Sequence, residues 1–171
     1  MNWYPVYTNP RAEKKVYTAL EQKGITAYLP IQKQLRQWSD RKKWVDVPIF
    51  PSYLFVHLNP SQMSAVLTCQ GVSRFIYFSG KIATIPERQI TQLRLLLANA
   101  TDIEVVDREF EKGQQVIVRA GPLQGLMGEL ISWHSKQKML IRIDYLTQSL
   151  LIQISPAFIE PLDLTAEWDK T

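Results

Sequence analysis

The sequence predicts an α+β fold: an N-terminal antiparallel sheet with helices, followed by a small β-barrel. Strand-like and helix-like segments interleave over the first 100 residues, with a hairpin among them. Residues 112–162 carry no helical periodicity, only short strands separated by turn residues, which is the pattern of a small barrel. Charge divides along the same line. Residues 1–100 hold 13 Lys and Arg against 5 Asp and Glu, a net of +8, and residues 101–171 hold 7 against 11, a net of −4. A chain of 171 residues has room for two such small units.

Residues 3–7 are aromatic and β-prone and read as a strand. Asn9-Pro10 then offers a helix start, because the first turn leaves unused the N–H that proline lacks. Ala12, Val16, Ala19 and Leu20 share one face of that helix, and Gly24 ends it. Residues 26–31 look extended, and a hairpin follows with arms near 31–37 and 44–49 around a polar tip. The run 50–58 is almost unbroken in apolar and aromatic residues and predicts a strand covered on both faces. Asn59-Pro60 opens a second helix with Met63, Val66 and Leu67 inward and Gly71 at its end. Residues 73–78 form another strand before a Ser79-Gly80 turn. Ile85-Pro86-Glu87 starts a third helix with Ile90, Leu93 and Leu97 on one face.

An acid-rich segment follows and reads as a linker. The expected domains are 1–100 and 110–163, with a linker at 101–109 and a tail at 164–171. Barrel strands are expected at 114–119, 126–133, 138–144, 149–154 and 157–160. Gly121, Gly125 and Gly128 would each weaken a helix there by about 1 kcal/mol relative to alanine.

Several function classes drop out. No apolar run approaches the roughly 20 residues that cross a bilayer, and the first ten residues lack the basic start of a secretory signal, so a cytoplasmic protein without membrane contact is expected. A single cysteine, Cys69, excludes an intramolecular disulfide and a cysteine-rich zinc site. His57 and His134 fall in different predicted domains, and no phosphate loop or metal-spaced histidine pair is present. The expectation is a monomeric binding protein, not an enzyme, with no cofactor or metal.

Two features suit binding. Segment 31–47 holds Lys33, Arg36, Arg41, Lys42 and Lys43 against Asp40 and Asp46, with Trp38 and Trp44 interleaved. Cations neutralise phosphates and indoles stack on unpaired bases, although an ordinary exposed hairpin would carry the same residues. In strand 50–58, Leu54, Val56 and Leu58 share one face and Tyr53 and Phe55 the other, where Tyr7 and Phe78 could join them. That second face is either an aromatic patch left open for a partner or plain core.

These residues carry a resemblance. Trp3-Tyr4, Phe50-Pro51-Ser52-Tyr53-Leu54-Phe55-Val56, Gly71-Val72-Ser73-Arg74-Phe75 and the barrel segment Lys112 to Leu130 occur in the order and spacing of one family. The chain resembles the NusG transcription elongation factors, and most of all the specialised paralogues typified by RfaH and by the UpxY regulators of capsular polysaccharide operons. The resemblance implies an NGN domain followed by a KOW domain with an SH3-like barrel. It implies an antitermination factor that binds the clamp helices of the largest RNA polymerase subunit through Tyr7, Phe50, Tyr53, Phe55, Phe78, Ile90 and Leu93. It further implies contact with the non-template strand or upstream duplex through Arg11, Lys14, Lys33, Arg36, Arg41, Lys42, Lys43 and Arg74. Leu123, Leu126 and Leu146 match barrel positions that engage Rho or a ribosomal protein. The three barrel glycines and the β-rich run 150–154 speak against storing this segment as a helical hairpin, as RfaH can. A ribosome-associated RNA-binding protein is the alternative, since KOW barrels occur there too.

Overall fold

The computed structural model describes residues 1–100 and 102–162 and divides the chain into two compact units, Met1–Ile90 and residues from Thr91 onward. The expected tail at 164–171, together with Thr101 and Asp163, lies outside the described residues.

In the first unit, β1 (Asn2–Thr8) is followed by α1 (Glu13–Gln22), β2 (Thr26–Tyr28), β3 (Ile31–Gln37), β4 (Lys42–Pro48) and β5 (Tyr53–Leu58). Then come α2 (Met63–Leu67), β6 (Val72–Phe75), β7 (Tyr77–Phe78), β8 (Lys81–Ile82) and the start of α3 (Glu87–Asn99). Strands pair antiparallel in the order β2-β5-β1-β6, while β3–β4 and β7–β8 form separate two-stranded ribbons. Alternation sends Tyr4, Val6, Leu54, Val56, Leu58 and Phe75 to one side of the four-stranded sheet. There they meet Val16 and Leu20 of α1 and Val66 of α2, which form the core.

Three sequence expectations for this unit need correction. Residues 50–52 do not join the strand: Pro51 has no N–H to give a ladder, and Ser52 takes a left-handed φ of +66°. The buried carboxylate of Glu13 steadies this turn by accepting the Ser52 N–H at 2.7 Å. The second helix is a 3-10 turn plus five α-helical residues, too short to turn Leu67 inward, and Leu67 is exposed. The expected strand at 73–78 breaks after Phe75, where Ile76 N donates to Pro5 O and the chain leaves for the β7–β8 ribbon.

The second unit contains β9 (Ile103–Val106), β10 (Gln114–Val118), β11 (Met127–Trp133), β12 (Lys136–Arg142), β13 (Ser149–Ile152) and β14 (Ile159–Pro161). All six pair antiparallel in the order β14-β10-β11-β12-β13-β9 around Val116, Val118, Leu126, Met139, Leu140, Leu150 and Leu151. Gly125 turns with φ +92°, and a Cβ on Gly128 would sit 2.7 Å from Leu140 O, so both positions need glycine.

Residues 103–106, expected as linker, are a strand of this sheet. Glu104 accepts hydrogen bonds from Trp133 Nε1 and Lys138 Nζ, both at 3.1 Å, and the Lys138 hydrogen bond holds its carboxyl below the usual glutamate range. The unit starts at Thr91, inside α3, where the Gln92 side chain bonds the backbone of Gly125 and Met127, whereas the sequence suggested a second domain at 110–163. A second anchor is Glu129, buried and paired with Arg142 at 2.6 Å, while Arg142 also donates to the carbonyls of Phe110 and Glu111. The chain entering β10 is pinned to β11 and β12 by this cluster.

Candidate functional surfaces

The sheet face opposite the helical core is aromatic. Register pairs Trp3 with His57, Pro5 with Phe55 and Tyr7 with Tyr53, so these six share that face. Trp3 stacks on His57 at 4.8 Å and donates its indole N–H to Glu87 at the start of α3. Ile85 N donates to Trp3 O, so the segment leading into α3 is tied across this end of the face. Phe55 is wholly buried and packs beside Tyr28 at 6.5 Å. At the other end, the rings of Tyr7 and Tyr53 meet edge-on at 5.3 Å and are half-buried, and the Arg74 guanidinium lies 5.2 Å above the Tyr7 ring.

The seven residues assigned to one docking face therefore separate. Tyr7 and Tyr53 lie together at the surface, and Phe78 is exposed on the β7–β8 ribbon. Phe50, Phe55, Ile90 and Leu93 are buried and offer no ring or side chain to a partner in this structure. The periodicity that put them on a common face was silent on what covers it. Tyr77, exposed next to Phe78, escaped notice, although the Ser79-Gly80 turn just beyond it signalled a protruding hairpin.

The cations fall into two groups. Lys33, Arg36, Arg41, Lys42 and Lys43 are all exposed on the β3–β4 ribbon, with Leu35, Trp38 and Trp44 exposed among them. Lys14 of α1 reaches the ribbon by donating to Asp46 O at 2.5 Å. Arg11 and Lys14, with Val47, Pro48 and Pro51, line a surface cavity of about 310 Å³ at the ribbon's base. Arg74 belongs elsewhere, over the tyrosine pair.

On the barrel, Leu126 is buried, because the turn at Gly125 brings it under the sheet, where its carbonyl accepts the Val118 N–H. Leu123 and Leu146 are half-buried. Sequence reasoning passed over two exposed rings there, Tyr145 and Phe158. Tyr145 adjoins Leu146 and holds a left-handed φ of +66°. Cys69 lies in the core behind the sheet, and His57 stacks on Trp3 across the opposite face.

Comparison with known proteins agrees with this architecture. The family model described as NusG, transcription termination factor, matches residues 1–94, more than half of the chain. The transcription termination/antitermination protein NusG of Halalkalibacterium halodurans is 23% identical over 177 aligned residues, which cover 94% of this chain and 98% of that protein. The solved structure of Thermotoga maritima NusG is similar in fold, with a TM-score of 0.53 and 21% identity over 95% of this chain and 97% of that one. The chain belongs to the NusG family of transcription termination and antitermination factors.

Proposed function

We propose that this protein is an operon-specific antitermination factor of the RfaH or UpxY kind, acting in the cytoplasm by binding and not by catalysis. Its first unit docks on the clamp helices of the largest RNA polymerase subunit and suppresses pausing and termination, in operons such as those for capsular or exopolysaccharides. The basic ribbon and the start of α1 face the non-template strand or the upstream duplex. The second unit recruits a further factor, such as Rho or a ribosomal protein, through Leu123, Leu146 and the neighbouring exposed rings Tyr145 and Phe158.

The observation that supports this reading best is the half-buried Tyr7–Tyr53 pair, sited on the sheet face away from the helical core and bordered by Arg74. Half-buried tyrosines present ring area and a hydroxyl at small conformational cost, and such residues dominate protein interfaces. A Tyr7→Ala/Tyr53→Ala double variant should lose about 2–4 kcal/mol of polymerase affinity while keeping its far-UV spectrum. Wild-type retention on immobilised polymerase would remove the docking site from the proposal.

A further inference from the structure

The second unit carries an aromatic corner outside its core. Trp133 ends β11, at the turn where His134 and Ser135 take left-handed φ values of +48° and +62°. It is fixed on two sides: its indole N–H donates to Glu104 at 3.1 Å, and the His134 ring meets it edge-on at 4.4 Å. The Phe110 ring meets it at 5.3 Å with 66° between the planes. Both Trp133 and Phe110 are half-buried. Two ring faces set at such an angle at a surface attract a cation.

The corner already holds one. The Arg108 guanidinium lies 5.4 Å from the Trp133 ring centroid and 5.8 Å from that of Phe110. Arg108 is exposed, belongs to no strand and, among the described residues, forms no salt bridge or hydrogen bond. A guanidinium kept in place by ring faces alone is weakly held, and a second guanidinium can replace it. Arg108 and Phe110 also line a cavity of about 660 Å³, together with Asp107, Glu109, Asp144 and Tyr145. The other cation of that lining, Arg142, is committed to Glu129 and to the carbonyls of Phe110 and Glu111. Three carboxylates therefore stand beside the corner, which favours a basic polypeptide and repels a polyanion.

We propose that the Phe110–Trp133 corner is a binding site for an arginine side chain of a partner polypeptide, and that Arg108 fills it in the free chain. The incoming guanidinium replaces Arg108 on the rings, and basic residues flanking it meet Asp107, Glu109 and Asp144. Arg108 returns to water, so the exchange on the rings costs little and the flanking contacts set the affinity. That this unit recruits a factor is taken from the reading above; the corner adds the chemistry by which the recruit is recognised.

The test titrates the full nitrogen-15-labelled chain with a blocked pentapeptide, lysine-glycine-arginine-glycine-lysine, and with the same peptide carrying neutral citrulline at its centre. Binding is read at the Trp133 indole N–H signal, identified by its loss in Trp133→Phe. The arginine peptide should shift that signal saturably and bind about fivefold more tightly than the citrulline peptide. Arg108→Ala removes the competitor and should tighten the arginine peptide about threefold. Lys112→Ala removes a neighbouring charge but leaves the corner filled, and should change that affinity less than about 1.5-fold. Phe110→Leu should lower the arginine peptide to the citrulline level; should it perturb the barrel, the peptide pair and Arg108→Ala still decide. Equal affinity for the two peptides, or no binding of either, would overturn the site. Equal effects of Arg108→Ala and Lys112→Ala would overturn the role of Arg108 as its occupant. Shifts confined to the Tyr145 and Leu146 amides would overturn the corner and leave recruitment through that surface standing.

Discussion

Strand β5 and the β3–β4 ribbon are both rich in rings, yet they dispose of them in opposite ways. Phe55, in the middle of β5, is wholly buried, whereas Trp44, in the middle of the ribbon, is 64% exposed. The difference lies in what stands on the second face. Strand β5 is flanked by β1 and β2, has α1 and α2 on one side, and on the other has Trp3 stacked on its His57 and Tyr28 beside its Phe55. The outer half of the ribbon has only its own partner strand. An aromatic residue at the middle of the sheet therefore does structural work and one on the ribbon remains available for a partner, while Tyr7, Tyr53, Tyr28 and His57 are half-buried between these extremes.

Removing the same kind of side chain from each region should expose that contrast. Phe55→Ala empties a closed site and should cost about 3–5 kcal/mol of stability, read by urea denaturation. A loss below about 1 kcal/mol would mean that the face is open and the ring was never core. At the small end, Trp44→Ala removes only a cross-strand contact with Leu35 and should cost about 0.2–1 kcal/mol. A cost as large as that of Phe55→Ala would mean that the ribbon packs its rings after all.

The same contrast marks what the sequence could tell. The ribbon was legible because lysines, arginines and glutamines dominate its first arm and its tip, although the second arm carries Trp44, Val45 and Val47. The alternation Leu54, Val56, Leu58 against Tyr53, Phe55 was also legible and gave the sheet its correct helical side. Periodicity does not record what packs on the far side, so a face that could be patch or core proved to be core at Phe55 and Trp3 and surface at Tyr7 and Tyr53. Local chemistry misled at two other places. The acids around Ile103 and Val105 resembled a solvated linker, but Glu104 serves as a hydrogen-bond acceptor that fastens β9 to the barrel. At Leu126, motif position suggested a loop surface, whereas the Gly125 turn sends the side chain inward.

The central claim is that the tyrosine end of the sheet makes this chain act on transcribing polymerase. Read-through of an intrinsic terminator by purified polymerase tests it most directly, with the wild-type protein and the Tyr7→Ala/Tyr53→Ala variant added at equal concentration. The wild type should raise the full-length fraction several-fold on a template from its own operon, and the variant should leave it at the level of polymerase alone. Read-through by the variant equal to that of the wild type, or no response to the wild type, would contradict the claim.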